Sequence, residues 1–292
     1  MKRIAVLFSR HAQDEVVQSL SRMAGARELE TLAAEDMLAG VSCEVDSRGL
    51  SFLRGARPGA VVPDGVFLIN RLFMNQKLFE QAAGDAVAAQ TEIEAYFRQA
   101  LSLTAECSSR PGMYALCGDY LPLFLQWKRA SGLSFPLATP RYDYAFGRAY
   151  PEVGDFSSVV YKSPFDLRGW KPNSPPDAMW HTFSVERPKG VPVACAVLGD
   201  GVLFNPGGDV AIPDWLGEAS VAIARLFGAC FGEILYFING ESACFASFSH
   251  FISSTWDAAR FDALLGEYCD KQRDAAPSAG ESECGACGGG AR

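Results

Sequence analysis

The segment Val159–Lys171 carries residues whose types suit the binding of an anion. Lys162 ends an apolar, strand-like run, and Arg168, Trp170 and Lys171 follow shortly after it. A lysine at the end of a strand offers a compact positive charge to phosphate oxygens. The basic and aromatic residues behind it can clamp an anionic peptide or a nucleotide. The same composition is equally typical of an exposed loop, so both interpretations of this segment stay open.

Other familiar catalytic and metal-binding patterns do not occur in the sequence. It has no Ser-His-Asp order, no His-x-x-x-His pair and no glycine loop of the kind that cradles phosphate. Cys284 and Cys287 offer two soft ligands, whereas a structural zinc site needs four. A redox role or a shared metal site is therefore the functional alternative to a plain tail at this end of the sequence.

Hydrophobic periodicity predicts the elements that must position these residues. Residues 1–110 have the pattern of a small α/β unit, with buried strands at Ile4–Phe8 and Val66–Asn70. A hairpin is predicted from Val41–Val45 and Leu50–Leu53, and an amphipathic helix over Ala88–Leu103. That helix is expected to cover the sheet.

The remainder of the chain is predicted to be rich in strands up to residue 270. Its predicted elements are helix Tyr120–Ala130, ended by a left-handed Gly132; strands Ser158–Lys162, His181–Glu186, Val191–Leu198 and Val202–Asn205; helix Asp214–Gly228; strands Glu233–Ile238 and Ala243–Ser249; and helix Ala258–Tyr268. A mixed sheet built from hairpins is the simplest arrangement of the middle strands. Residues 271–292 are small, polar and glycine-rich, which predicts a flexible tail.

Composition and charge exclude several classes of protein. The net charge of −8 comes without a basic stripe interleaved with aromatic residues, so nucleic acid is not an expected partner. The apolar runs are interrupted before the roughly 20 residues that a membrane span needs, so no membrane partner is expected. Nine cysteines need not pair in a reducing compartment. A cytoplasmic globular protein is predicted.

The order of the elements and several short patterns resemble the ATP-grasp family. Gly132–Thr139 is similar to the strand start of the family's core, and Ser158–Pro164 to the strand whose lysine touches nucleotide phosphates. Val193–Asp200 is similar to the next strand and turn, and Leu216–Ser249 to the elements that deliver magnesium ligands. The likeness is greatest to RimK-like and graspetide (microviridin-type) ligases, which join a carboxylate to an amine in peptides.

The resemblance implies an α/β fold with α+β lobes. An N-terminal α/β pre-grasp domain is expected over residues 1–110 and an ATP-grasp-like core over 111–270, followed by the tail.

The resemblance also implies phosphate contacts, some of which are lost. It places Lys162 at the phosphate oxygens. Leu121 stands where a second lysine is expected, and Ala194 replaces an expected arginine. Lys128, about two helical turns beyond Leu121, is either a substitute for the lost lysine or a solvated surface lysine.

The hinge that holds adenine in the family falls on Ser184, Val185 and Glu186. Its contacts are made largely by the backbone, so this part of a nucleotide site tolerates changed side chains. Arg168 falls in the loop that closes over ATP in the family.

Metal ligands are the largest departure from the family pattern. A glutamate and an asparagine two residues apart hold magnesium in the last strand of the family, and here the matching positions are Ser247 and Ser249. Glu233 on the preceding strand is a stand-in for the first acidic ligand, although the aligned position is nearer Leu235. Magnesium prefers carboxylate and phosphate oxygens, so two hydroxyls form a degenerate site.

Two functions follow from this resemblance. The first is an ATP-dependent carboxylate–amine ligase that matures a ribosomally made peptide, with ATP and Mg as cofactors. The second is a catalytically silent relative, because phosphoryl transfer depends on positioning and charge neutralisation that the lost residues would provide. In either case the expected partner is a peptide or a protein, a second copy of this chain among them. An unrelated α/β binding protein remains if the fold assignment is wrong.

Overall fold

The computed structural model describes residues 2–10, 14–24, 29–39, 41–46, 49–54, 57–58, 66–73, 86–104, 106–112, 115–146, 156–174, 181–253 and 256–275. In chain order its elements are β1 Arg3–Phe8, α1 Glu15–Met23, β2 Leu29–Ala33, α2 Ala34–Ala39, β3 Val41–Asp46, β4 Gly49–Arg54, β5 Arg57–Pro58, β6 Val66–Arg71, α3 Ala86–Leu103, α4 Leu123–Ala130, β7 Leu137–Ala138, β8 Tyr142–Phe146, β9 Val159–Lys162, β10 His181–Glu186, β11 Val191–Leu198, β12 Gly201–Pro206, α5 Leu216–Leu226, β13 Phe231–Asn239, β14 Ser242–Ser249 and α6 Ala258–Asp274.

A three-stranded parallel sheet in the order β2-β1-β6 forms the N-terminal unit. Alternate residues of a strand point to opposite faces. Ala5 and Leu7 of β1 therefore pack in a cluster with α3, while Ile4 and Val6 pack in a second cluster with α6. Both faces are covered, as a parallel sheet requires. The predicted strands β1 and β6 and the predicted helix α3 are confirmed.

The predicted hairpin near residue 45 is also confirmed. β3 and β4 pair antiparallel, with Asp46 opposite Gly49, and β5 adds to the outer edge of β4.

Two further sheets are formed by strands β7 to β14. One is three-stranded and antiparallel, in the order β8-β10-β9; the other has five strands in the order β12-β11-β13-β14-β7, in which only the short β7 runs parallel to its neighbour. The hairpins β11–β12 and β13–β14 confirm the predicted strands, and Gly199 adopts φ 67° in the turn of the first hairpin.

The expectation of one mixed sheet for all the middle strands is wrong, because the chain leaves the first sheet after β10. Gly190 lies at this crossing with φ 113°, and a Cβ there would be 2.3 Å from the carbonyl oxygen of Ile238. Only glycine combines such a backbone angle with so close an approach. The bend at Gly190 therefore separates β10 from β11, which belong to different sheets.

Helix α4 differs from its prediction at both ends. It begins at Leu123 rather than Tyr120, because Pro122 occupies the N-cap position with extended backbone. At the other end Ser131 is right-handed, and Gly132 is not among the glycines with positive φ, so a left-handed end at Gly132 is wrong. The last carbonyls are instead bound by the N–H groups of Ser131, Gly132 and Leu133.

Helix α6 is longer than predicted. It continues to Asp274, so its last turn lies inside the segment predicted to be a flexible tail. Residues 276–292, with Cys284 and Cys287, are outside the described residues. The division of the chain at residue 110 stays a proposal, and α6 shows that the two units share a core, because Phe261 and Leu265 pack on the N-terminal sheet.

No helix within the described ranges is long and apolar enough to cross a membrane.

Candidate functional site

The candidate site lies between the three-stranded sheet β8-β10-β9 and the five-stranded sheet. Lys162 of β9 and Phe183 of β10 are cross-strand neighbours and so share one face of the three-stranded sheet. Both are buried on that face. Three more aromatic side chains fill the space towards the five-stranded sheet: the ring centroid of Trp127 is 5.8 Å from Phe183 and 6.3 Å from Trp170, and Trp170 is 5.8 Å from Phe237. The two sheets thus share a packed aromatic layer.

Lys162 enters this layer with its charged end. Its side chain is only 3% exposed, and Nζ donates a hydrogen bond of 2.7 Å to the carbonyl oxygen of Gly169. Nζ also lies 4.0 Å from the ring centroid of Trp170, a favourable position for a cation. Burial lowers the pKa of Lys162 to about 8, against a smaller opposing effect from Asp166. The strand places the lysine in the aromatic layer, and its partner is a backbone carbonyl.

The three hinge residues are divided between the faces of β10. Val185 is fully buried opposite Val160, and Ser184 is buried opposite Tyr161. Glu186 is held at the end of the strand, where its carboxylate accepts hydrogen bonds from Arg141 and from the N–H and hydroxyl of Ser157.

Glu186 also borders a cavity of about 330 Å³. The hydrogen bond from Arg141 is the main cause that lowers the pKa of Glu186 to about 2. Its backbone N–H donates to the carbonyl oxygen of Arg141 at 2.9 Å. The cavity is lined by Thr139, Pro140, Arg141, Glu186, Arg187, Pro188, Lys189 and Cys244.

The predicted metal positions lie at the end of the β13–β14 pair. Glu233 is directly opposite Ser249, and Leu235 is opposite Ser247. The pairing register of the two strands therefore brings Glu233 and both serines to one end of the sheet. Glu233 Oε2 accepts hydrogen bonds from the N–H (3.0 Å) and the hydroxyl (2.8 Å) of Ser253.

Both serine hydroxyls have protein partners. Ser247 is buried, and its hydroxyl donates to the carbonyl oxygen of Leu167 at 2.7 Å. The hydroxyl of Ser249 accepts from the N–H of Phe251 at 3.1 Å.

These residues do not fit a magnesium ion. Magnesium needs carboxylate oxygens in near-octahedral geometry, and this end of the sheet offers one carboxylate and two neutral hydroxyls, all with other partners. In the part of the chain that the structure describes, no group of three His, Cys, Asp or Glu side chains could hold a metal ion.

Arg168 joins the metal positions, whereas Lys128 does not. The guanidinium of Arg168 lies 3.9 Å from Glu233 Oε1 and over the ring of Phe251 at 5.3 Å from its centroid. Lys128 is exposed on α4, while its neighbour Trp127 points to the sheet and donates to the carbonyl oxygen of Ala246 at 2.9 Å. The surface-lysine interpretation of Lys128 is the one that its placement supports.

A second polar cluster beside the site was not found by sequence reasoning. Arg71, at the end of β6, makes two hydrogen bonds to the carboxylate of Asp14 (3.0 and 2.6 Å), and both side chains are fully buried. Arg71 also donates to the carbonyl oxygen of His250 at 2.6 Å, and Asp14 accepts from the N–H of Ile252 at 3.1 Å. This cluster joins the N-terminal unit to the chain that leaves β14.

His250 belongs to the same junction. Its Nε2 is 2.8 Å from the carbonyl oxygen of Asp119, which accepts a hydrogen bond, so the ring donates through Nε2. Burial lowers the pKa of His250 to about 4, which keeps the ring neutral at pH 7. In the sequence, Arg71 and His250 are isolated polar residues at the ends of predicted strands. Such a residue does not by itself specify a partner.

Comparison with known proteins gives a structural answer only. No family model matches the sequence, and no curated protein matches it. Among solved structures, macrocyclase MdnC from Microcystis aeruginosa MRC, bound with precursor peptide MdnA, has a TM-score of 0.62 at 11% identity and covers 90% of this chain and 99% of its own. The chain has the ATP-grasp fold.

Other ATP-grasp structures agree with this assignment. The ligase PsnB, complexed with a minimal precursor, Mg and ADP, has a TM-score of 0.60 at 13% identity, with 91% of this chain and 98% of PsnB covered. A RimK domain protein from Sphaerobacter thermophilus DSM 20745 has a TM-score of 0.54 at 14% identity, with 91% and 98% covered. The fold expected from the resemblance is confirmed.

Ser247 and Ser249 allow a matched test of the packing at the predicted metal positions. We expect Ser247→Ala to lower the free energy of unfolding by about 1 kcal/mol, because it leaves the carbonyl oxygen of Leu167 without its donor in a buried place. Ser249→Ala removes only a local bond within the turn to Phe251 and should cost less. Urea unfolding of both variants measures the difference, and equal losses would contradict this description of Ser247.

Proposed function

We propose that this chain binds a peptide during the modification of that peptide. The observation that carries the proposal is the fold: over about nine-tenths of its length the chain has the arrangement of MdnC and PsnB, both solved with precursor peptides. A fold supports many functions, so this likeness gives the class of partner rather than its sequence.

Two candidate activities share this binding step. The first is ATP-dependent carboxylate–amine ligation, supported by the likeness to PsnB complexed with Mg and ADP. Lys162, Arg168 and the Ser184–Glu186 hinge would then hold nucleotide. When bound, ATP supplies the phosphoryl group that activates a carboxylate. Because Glu233, Ser247 and Ser249 do not fit Mg, no step of the reaction is assigned to a metal here.

The second candidate is a catalytically silent relative that binds its peptide without turnover. Two hydrogen bonds at the candidate site support it. Lys162 is bonded to the carbonyl oxygen of Gly169, and Ser247 to that of Leu167, so two groups at the nucleotide and metal positions already have partners in this chain.

A single set of assays separates these outcomes. Short peptides encoded beside the gene are titrated into the protein by calorimetry, and ADP release is followed with ATP and MgCl₂. Peptide binding with ADP release that Lys162→Ala abolishes supports the ligase, and peptide binding without ADP release supports the silent relative. Lys128→Ala is the matched control, since that lysine is exposed on α4. If no peptide in the set binds, the proposal is wrong.

We also propose a cytoplasmic location. Six cysteines outside the N-terminal hairpin, from Cys107 to Cys269, are free thiols, which is usual for a protein in a reducing compartment.

A second copy of the chain is a further candidate partner. Light scattering with and without peptide measures the oligomeric state and tests this.

A further inference from the structure

A cavity of about 290 Å³ lies where the N-terminal sheet, the turn of the β11–β12 hairpin and α6 meet. The turn and the helix are in close contact beside it. A Cβ on Gly199 would lie 2.3 Å from the ring of Tyr268, and a Cβ on Gly201 would lie 2.3 Å from Leu264. Among the described residues that line the cavity, none belongs to the candidate site. The cavity is therefore a separate feature of the molecule.

Two cysteines on different elements line this cavity. Cys107 and Cys230 are both half-buried free thiols. The backbone of Cys107 is held by a β-bridge to Leu68 of β6. Cys230 directly precedes β13, and its carbonyl oxygen accepts the N–H of Gly199 at 2.7 Å. The two thiols are thus supplied by backbone that the fold fixes in place.

Both thiols lie near the hydroxyl group of Tyr268, which also lines the cavity. Burial raises the pKa of Tyr268, and the neighbouring thiols of Cys230 and Cys107 raise it further. An effect of both sulfur atoms on one hydroxyl group agrees with their place in the cavity lining. The cavity therefore brings two soft ligands towards one point.

Burial keeps the two thiols protonated at pH 7. It raises the pKa of Cys107 to about 11, and it raises the pKa of Cys230 as well. A protonated thiol is a poor nucleophile, so these surroundings do not favour a redox role. A metal ion, in contrast, displaces the proton when it binds. Two thiols are half of the four ligands that a structural zinc site needs.

The sequence beyond α6 offers the other half. Cys284 and Cys287 have the C-x-x-C spacing with which structural zinc sites hold a pair of ligands. Lys271 and Gln272, in the last turn of α6, line the cavity, so the chain leaves the helix beside it. Cys284 follows Asp274 by 10 residues, and an extended chain of that length spans roughly 30 Å. The cysteine pair is therefore within reach of the cavity.

We propose that Cys107, Cys230, Cys284 and Cys287 bind a zinc ion and so fasten the end of the chain to the cavity. Zinc takes four thiolates in tetrahedral geometry, and soft sulfur ligands select it over harder divalent ions. Four protein ligands leave no open position for a substrate, so the site is structural. The proposal rests on the cavity and the cysteines, and it does not depend on the proposed function.

The metal content of the full chain tests this proposal. The protein is purified with a reductant, loaded with zinc sulfate and dialysed, and its zinc and iron are measured by inductively coupled plasma mass spectrometry. We expect about one zinc ion per chain in the wild type and a loss of most of it in Cys107→Ser and in Cys284→Ser. Cys244→Ser is the matched control, because Cys244 is also a half-buried thiol but lines the cavity beside Glu186.

Three results would overturn the proposal. A wild type without zinc is the first. Zinc that persists in both Cys107→Ser and Cys230→Ser is the second, because the metal would then be held by Cys284 and Cys287 from two chains. Iron in place of zinc is the third, because four thiolates also suit an iron–sulfur cluster.

Thermal unfolding covers the case in which a cavity variant does not fold. Zinc that binds only the folded chain stabilises it, so a chelator should lower the Tm of the wild type by roughly 5 °C or more. Cys284→Ser changes none of the described residues, and its Tm should not respond to the chelator. An equal response in both proteins would contradict the proposal. Peptide titrations test the proposed function separately, so either proposal can fail alone.

Discussion

Arg71→Met is expected to lower the free energy of unfolding by about 3–5 kcal/mol. The guanidinium makes two hydrogen bonds to Asp14 where neither side chain is exposed, so its removal leaves a buried carboxylate without a counter-charge. The carbonyl oxygen of His250 loses a donor as well. Methionine has a similar length and is apolar, so the loss reports mainly on charge and hydrogen bonding rather than on a cavity. Urea denaturation measures it.

Two further variants control this experiment. Arg225→Met breaks an ion pair with Asp200 of the same 2.6 Å length, but both partners are well exposed, and it should cost less than about 1 kcal/mol. Asp14→Asn combined with Arg71→Met removes both charges and keeps an acceptor for the N–H of Ile252. The double variant should therefore be more stable than Arg71→Met alone. A double variant that is less stable would show that the buried charge is not the cause.

Lys162→Met is expected to change the pH dependence of stability. Burial lowers the pKa of Lys162 in the folded protein from 10.5 to about 8. Between these pH values the unfolded chain holds a proton that the folded chain has lost, so the stability of the wild type rises with pH. Below pH 8 the cost of burying the charged amine is fully present and constant. Between pH 8 and 10.5 the free energy of unfolding of the wild type should therefore rise by up to about 3 kcal/mol relative to that of the methionine variant.

The comparison is made by chemical denaturation at closely spaced pH values. Groups other than Lys162 titrate in both proteins, so they cancel in the difference. Lys128→Met, which alters an exposed lysine, should keep the slope of the wild type. A constant difference between the wild type and Lys162→Met across this pH range would show that the amine is not held in a buried environment.

Sequence patterns predicted most of the elements, because those patterns act over a few residues. The alternation in β11 and β12 and the glycine between them specify a local hairpin, and the pairing of Leu198 with Gly201 follows. The errors in the predicted elements come from a proline and from packing between residues far apart in the sequence. Pro122 delays the start of α4, and the bend at Gly190 divides the middle strands between two sheets.

The site was predictable only in part. The position of Lys162 follows from its strand and from the resemblance to a known pattern, yet its partner depends on how residues 163–171 fold back. Ser247 and Leu167 are 80 positions apart, and Arg71 and Asp14 are 57 apart. Contacts at such separations leave no periodicity in the sequence, and each depends on the complete fold. The replacement of the family's glutamate and asparagine by Ser247 and Ser249 was visible in the sequence, whereas the arginine beside Glu233 was not.

The cover of the N-terminal sheet by α6 has a consequence for synthesis on the ribosome. Ile4, Val6, Phe67 and Ile69 are made early, but the side chains that bury them, Phe261, Leu265 and Tyr268, are made almost 200 residues after Ile69. Until α6 has left the exit tunnel, this face of the first sheet lacks part of its cover and exposes apolar side chains to water. Such a face attracts chaperones and other nascent chains. Release of the nascent chain before α6 is complete should therefore give insoluble protein rather than a shorter folded one.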